Sequence, residues 1–121
     1  MLNRITVAGR LTRDPELHTT TTSGVSVTSF RVAVDRDFKT ADGSRETDFI
    51  DCVAWRGLAD TVAKNLTKGR LVTVDGRLQI REYETQDGQK RRVAEIVADQ
   101  VHFMDKKPEA AEVPVADGIP F

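Results

Sequence analysis

Residues 71–83 alternate apolar and polar side chains over most of their length. A strand sends successive side chains to opposite faces, so Val72, Val74, Leu78 and Ile80 share one side. Thr73, Asp75, Arg77, Gln79, Arg81 and Tyr83 share the other. The first is a core face. The second sets two arginines and a ring in one row that water reaches. A half-buried sheet strand with a solvated outer face has this look too, so the row acquires meaning only from the rest of the chain.

Strand signals recur along the sequence. Ile5, Val7 and Leu11 alternate with Arg4, Thr6 and Arg10. Val25 and Val27 begin a second series, which Phe30, Val32 and Val34 continue with changed parity. One extra residue near Thr28-Ser29, as in a β-bulge or a sharp bend, would account for the slip. Further strands are predicted over about 47–55, 70–83 and 91–103. Ser23-Gly24, Asp42-Gly43 and Asp87-Gly88 separate the strands, since Asp-Gly favours hairpins and glycine accepts positive φ. The loops around these glycines exceed a two-residue turn, so the hairpins are expected to project beyond the sheet.

One helix is predicted over 58–67. Leu58, Val62 and Leu66 recur at helical spacing with Ala59 and Ala63 alongside, and Gly69 stands as a C-cap candidate. Three strands, a helix and two strands is the order of the OB-fold, a five-stranded barrel with its helix between strands 3 and 4. Another small barrel or an α+β sheet is the alternative. The expected class is therefore all-β.

A chain of 121 residues suits one domain, and its single cysteine, Cys52, excludes an internal disulfide and favours a reducing compartment. No apolar run approaches the roughly 20 residues that cross a membrane, so no membrane partner is expected. The opening Met1-Leu2-Asn3-Arg4-Ile5 enters a strand pattern at once, which is unlike a signal or transit segment. Residues 1–104 hold 16 basic and 15 acidic residues, a net of +1. Residues 105–121 hold 2 and 4, a net of −2. A nucleic-acid site on such a body must come from local arrangement rather than basic excess. Residues 1–104 thus read as the folded domain, and 105–121, with Pro108, Pro114 and Pro120, as a flexible acidic tail. Its Ile119-Pro120-Phe121 end is either a docking peptide or a mere chain end. No internal repeat or low-complexity segment is evident.

On the strand at 47–55 both faces are apolar: Ile50, Cys52 and Ala54 on one, Phe49, Val53 and Trp55 on the other. A small barrel has one interior, so the second face needs a ligand or a subunit. Phe38 lies among charged residues and is a poor core candidate. Cations interleave with these rings: Arg36 and Lys39 beside Phe38, Arg56 after Trp55, Arg77 and Arg81 before Tyr83. Single-strand binding without base preference uses this combination, because rings stack on bases and cations follow phosphates. A duplex hides its base faces.

Catalytic and cofactor motifs are missing. His18 and His102 pair with no nucleophile at a recognisable spacing, and no phosphate loop, dinucleotide fingerprint or zinc cluster occurs. Asp35/Asp37 and Asp48/Asp51 are the only carboxylate pairs worth weighing for a metal. The expectation is a non-enzyme with no cofactor. A barrel that binds only protein, with its rings buried between subunits, stays open.

The chain resembles the bacterial single-stranded DNA-binding proteins. The resemblance runs through Leu2-Asn3-Arg4-Ile5-Thr6-Val7-Ala8-Gly9-Arg10-Leu11-Thr12-Arg13-Asp14-Pro15-Glu16-Leu17, then Asp48-Phe49-Ile50-Asp51-Cys52-Val53-Ala54-Trp55 and Lys68-Gly69-Arg70-Leu71-Val72-Thr73-Val74-Asp75-Gly76-Arg77-Leu78. It covers residues 1–104, and the terminal Ile119-Pro120-Phe121 matches separately. It implies an OB-fold homotetramer in the bacterial cytoplasm and nucleoid that binds and protects single-stranded DNA in replication, recombination and repair. It implies base stacking by Phe38, Phe49, Trp55 and Tyr83, the rings already selected by strand face. It also implies recruitment of replication and repair proteins through a tip comprising Asp117, Ile119, Pro120 and Phe121, although the acidic run that precedes this tip in the family is reduced here. A short tail also resembles accessory members of the family, some of which serve natural transformation.

Overall fold

The alternation does produce strands, six among the described residues, five of which close the expected barrel. The structure, a computed structural model, describes residues 1–20 and 22–104. The elements are β1 (Ile5–Leu11), β2 (Glu16–Thr19), β3 (Ser26–Lys39), β4 (Arg45–Trp55), α1 (Arg56–Asn65), β5 (Leu71–Glu84) and β6 (Lys90–Phe103). The predicted tip residues Asp117, Ile119, Pro120 and Phe121 lie outside the described residues.

Five strands close a barrel in the order β1-β5-β6-β4-β3, and β1 returns to β3 through Arg10↔Ala33 and Leu11↔Val32. All neighbours are antiparallel except β4 and β6, which α1 and β5 separate in sequence. This is the predicted OB barrel with its helix before the last two strands. The extra strand, β2, is four exposed residues paired along β3. It has no apolar face, and only its partner defines it.

The core comprises Leu11, Phe30, Val32, Cys52, Ala54, Val72, Val74, Ile96 and Ala98, with Ala59, Val62 and Leu66 from the α1 region packed on it. The helix runs Arg56–Asn65 and caps in an extended residue, Leu66. Gly69 is not its C-cap. It turns at φ +89 to reach β5, donating its N–H to the Leu11 carbonyl at 2.8 Å.

The expected bulge at Thr28-Ser29 does not form, because β3 pairs with β4 in unbroken register from Val27↔Trp55 to Asp35↔Thr47. The parity change has another cause. Thr28 itself occupies the core side, fully buried, and its hydroxyl donates to the Ala59 carbonyl at 2.9 Å. That bond offsets the penalty of burying a hydroxyl. The irregularity in β3 lies instead between Asp35 and Lys39.

The core face of β5 ends sooner than its pattern predicts. Val72, Val74 and Gly76 are buried, but Leu78 and Ile80 are 40% and 46% exposed. The β5–β6 register shifts at Asp75/Gly76, and pairing continues outward to Glu84↔Lys90. A Cβ on Gly76 would stand 2.1 Å from the Val97 carbonyl oxygen, so only glycine allows this approach. Beyond it, the β5–β6 pair leaves the barrel as a projecting hairpin.

Candidate nucleic-acid interface

Register decides which side chains share the barrel's outer surface. Across β3, β4, β6 and β5 the outward residues form rows. One row is Arg31, Asp51, Glu95 and Gln79; the next is Ser29, Val53, Val97 and Arg77. Phe49 stands opposite Ala33, Trp55 opposite Val27, and Tyr83 opposite Arg91. Phe49, Trp55, Arg77, Arg81 and Tyr83 therefore lie on one continuous sheet face. Phe38 sits within the β3 irregularity, near the β3–β4 tip. The four predicted rings are exposed: Phe38 77%, Phe49 62%, Trp55 43% and Tyr83 47%. Burying large rings is worth several kcal/mol of transfer free energy, so rings left in water on one face are available to a partner.

Trp55 ends β4 and is the N-cap position of α1. The next residue, Arg56, has φ +59, the left-handed region that non-glycine residues rarely occupy. Arg56, the residue after Trp55, is exposed.

The predicted cations divide into two groups. Arg36 gives hydrogen bonds to both carboxylate oxygens of Asp48, at 2.9 and 3.1 Å, and to Glu46 at 2.9 Å. The Arg36 hydrogen bonds hold Asp48 below the usual carboxylate value. Arg81 lies 3.3 Å from both oxygens of Glu95, whose side chain is 12% exposed. Lys39, Arg56 and Arg77 have no carboxylate partner among the described residues.

Pattern reading missed Glu95 at the centre of this face, and the arginine that holds Asp51. Asp51 accepts from Arg31 at 2.8 Å, and Glu95 accepts from Gln79 at 3.3 Å. With Arg13, Ser29, Val53 and Arg81 they line a depression of about 210 Å³. The two acids are register partners across parallel strands, a proximity that only the fold reveals. Of the carboxylates weighed for a metal, Asp48 and Asp51 are thus engaged by arginines, Asp35 accepts from Thr47 at 2.8 Å, and among the described residues no cluster of three or more potential ligands forms. Beneath this face Cys52 is buried, and burial, with Asp51 and Glu95 nearby, pushes its thiol up to about 12.

The chain is 54% identical over 107 residues to single-stranded DNA-binding protein 1 of Staphylococcus aureus strain COL, covering 88% of this chain and 64% of the relative. It is 50% identical over 107 residues to the single-stranded DNA-binding protein of Oceanobacillus iheyensis, covering 88% and 66%. Against single-stranded DNA-binding protein 3 of Listeria innocua it is 50% identical over 111 residues, covering 92% and 69%. The chain thus spans about two thirds of the length of the curated relatives it matches, and just under that for the first of them. The model of the single-strand binding protein family matches residues 2–104, nearly all of the described barrel, and the chain belongs to that family.

Proposed function

We propose that this chain binds single-stranded DNA without sequence preference and catalyses nothing. The observation that carries this reading is four exposed rings, Phe38, Phe49, Trp55 and Tyr83, set along one sheet face and the hairpins that extend it. Each stacked base contributes about 1–3 kcal/mol. Arg36, Lys39, Arg56, Arg77 and Arg81 hold phosphates between the rings. Relatives named as single-stranded DNA-binding proteins support the same reading.

The functional unit in this reading is a homotetramer. Leu78 and Ile80 are aliphatic, exposed and on the side opposite the rings, which suits a contact between copies and leaves the binding face free. The protein acts in the bacterial cytoplasm, on the nucleoid, in replication, recombination and repair. The binding domain in this reading is residues 1–104, and Asp117, Ile119, Pro120 and Phe121 recruit partner proteins.

Titration with poly(dT) at two salt concentrations, beside a mass measurement in solution, tests the proposal. Trp55 emission should be quenched, and log affinity should fall with log salt by roughly 0.7 per phosphate neutralised. Unchanged emission at low salt refutes stacking. Ring-to-alanine variants that dissociate the oligomer while DNA affinity holds would instead make these rings a subunit contact.

A further inference from the structure

The two hairpin tips that flank the binding face are spelled alike. Residues 38–45 read Phe-Lys-Thr-Ala-Asp-Gly-Ser-Arg, and residues 83–90 read Tyr-Glu-Thr-Gln-Asp-Gly-Gln-Lys. Both follow one pattern: ring, any residue, Thr, any residue, Asp, Gly, any residue, base. The match extends to atomic detail. Thr40 N–H donates to the Ser44 carbonyl and Thr85 N–H to the Gln89 carbonyl. Gly43 N–H donates to the Thr40 carbonyl at 2.9 Å and Gly88 N–H to the Thr85 carbonyl at 3.0 Å, with φ of +88 and +86 at the glycines. In each tip the threonine hydroxyl donates to the aspartate carboxylate. The same carboxylate accepts the next backbone N–H but one, Ser44 at 3.1 Å and Gln89 at 3.4 Å.

The ends of the two octets also correspond. Lys39 pairs with Arg45, and Glu84 with Lys90, so each terminal base lies across the hairpin from the residue after the ring. Among the described residues neither Arg45 nor Lys90 has a carboxylate partner. Arg45 donates only to the carbonyls of Arg36 and Asp37, at 3.0 and 3.1 Å. The β2–β3 hairpin makes a useful contrast. Thr20 and Gly24 close it in a similar way, but Ser23 stands in place of the aspartate and Ser26, two residues after the glycine, stands in place of the basic residue.

We infer that the two tips are one strand-gripping unit used twice. The ring stacks on one base, the terminal base of the octet takes an adjacent phosphate, and the Thr-Asp-Gly turn is the positioning device that holds both ready. This rests on the function proposed above and assigns Thr40, Asp42, Thr85 and Asp87 a part in it. A turn locked before binding spares the ordering entropy that a loose tip loses on the DNA. The aspartates satisfy donors inside the turn, so acids are retained on a surface meant for polyanions.

The test exploits the sign of that charge. If Asp42 and Asp87 were only surface acids, removing either would strengthen DNA binding. Asp42→Ala and Asp87→Ala should instead each weaken poly(dT) binding about fivefold, the scale of one lost hydrogen-bonded lock. Asp→Asn, which keeps the accepting oxygen, should restore most of it. Double-mutant cycles add the decisive readout: Asp42→Ala should have little further effect in Phe38→Ala but its full effect in Tyr83→Ala, and Asp87→Ala the converse. Melting temperature and oligomer mass are followed for every variant, and the Asn arm decides for any tip whose Ala variant is unstable. Alanine variants that bind as well as or better than the parent, or losses that persist undiminished in the same-tip ring variant, overturn the inference. If Phe38→Ala and Tyr83→Ala themselves leave binding unchanged, the stacking function at the tips fails instead.

Discussion

In the middle of the outward sheet face Arg31 and Arg81 are held by Asp51 and Glu95, whereas at the tips neither Arg45 nor Lys90 makes an ion pair among the described residues, although Glu84 stands across the hairpin from Lys90. Both regions contain carboxylates, and the difference lies in what those carboxylates accept. At the centre they take guanidinium groups and cancel charge. At the tips Asp42 and Asp87 take the turn's own hydroxyl and amide donors. A phosphate at the centre must therefore displace a carboxylate, while at a tip it meets a cation that no carboxylate holds, Arg45 being engaged only by backbone carbonyls. This explains how a body with a net charge of only +1 over residues 1–104 can face a polyanion: usable positive charge is a local quantity.

The boundary between the barrel and the projecting β5–β6 hairpin is Gly76, and breaking it should give the largest effect. Gly76→Ala forces a methyl group against the Val97 carbonyl. Overpacking of this kind costs roughly 2–3 kcal/mol, measurable as a lower denaturation midpoint. A stable Gly76→Ala protein with unchanged DNA affinity would show that the hairpin's exit from the barrel is not fixed there.

Next in size is the loss of a ring. Trp55→Ala should lower poly(dT) affinity by about 2 kcal/mol, near thirtyfold, and Phe49→Ala by somewhat less for its smaller stacking area. Equilibrium titration by anisotropy checks both without relying on the indole. Equal losses at Trp55 and at a central arginine would erase the distinction between the stacking rings and the charge-cancelled arginines of the middle.

A smaller effect with the opposite sign tests the middle itself. Glu95→Gln should release Arg81 for phosphate, raise affinity about threefold, and steepen the salt slope by roughly 0.7. Weaker binding on that substitution would mean that Glu95 positions Arg81 rather than restrains it.

Strand face was legible in the sequence, and strand environment was not. Alternation placed Cys52 and Ala54 inward and Phe49 and Trp55 outward correctly, because β4 lies mid-sheet with neighbours on both sides. The same rule put Leu78 and Ile80 in the core, since period 2 reports a side of the sheet and says nothing of where the barrel stops. Thr28 broke the apolar pattern because its partner, the Ala59 carbonyl, lies 31 residues away on the helix. The matched octets went unseen because their common residues serve a turn rather than a core. The pairing of Arg81 with Glu95 depends on β5–β6 register, which no local pattern encodes.

Acid separates the two regions most gently. Hydrogen bonds from Thr40 and Ser44 lower the Asp42 carboxyl from 3.8 to about 2, and the Thr85 hydroxyl lowers Asp87 in the same direction. A depressed carboxyl contributes to the folded form while ionised. Its contribution is complete above the unfolded value and is lost as pH falls through the folded one. The Asp42 turn should thus weaken only between about pH 3.8 and about pH 2. The Ser44 amide, which donates to Asp42, reports this directly. Its exchange protection, followed by NMR, should persist at pH 3 and disappear near pH 2. Protection lost already near pH 4, as for an ordinary carboxylate, would mean that the aspartate does not hold the turn, and the contrast between a locked tip and a charge-paired centre would rest on the rings alone.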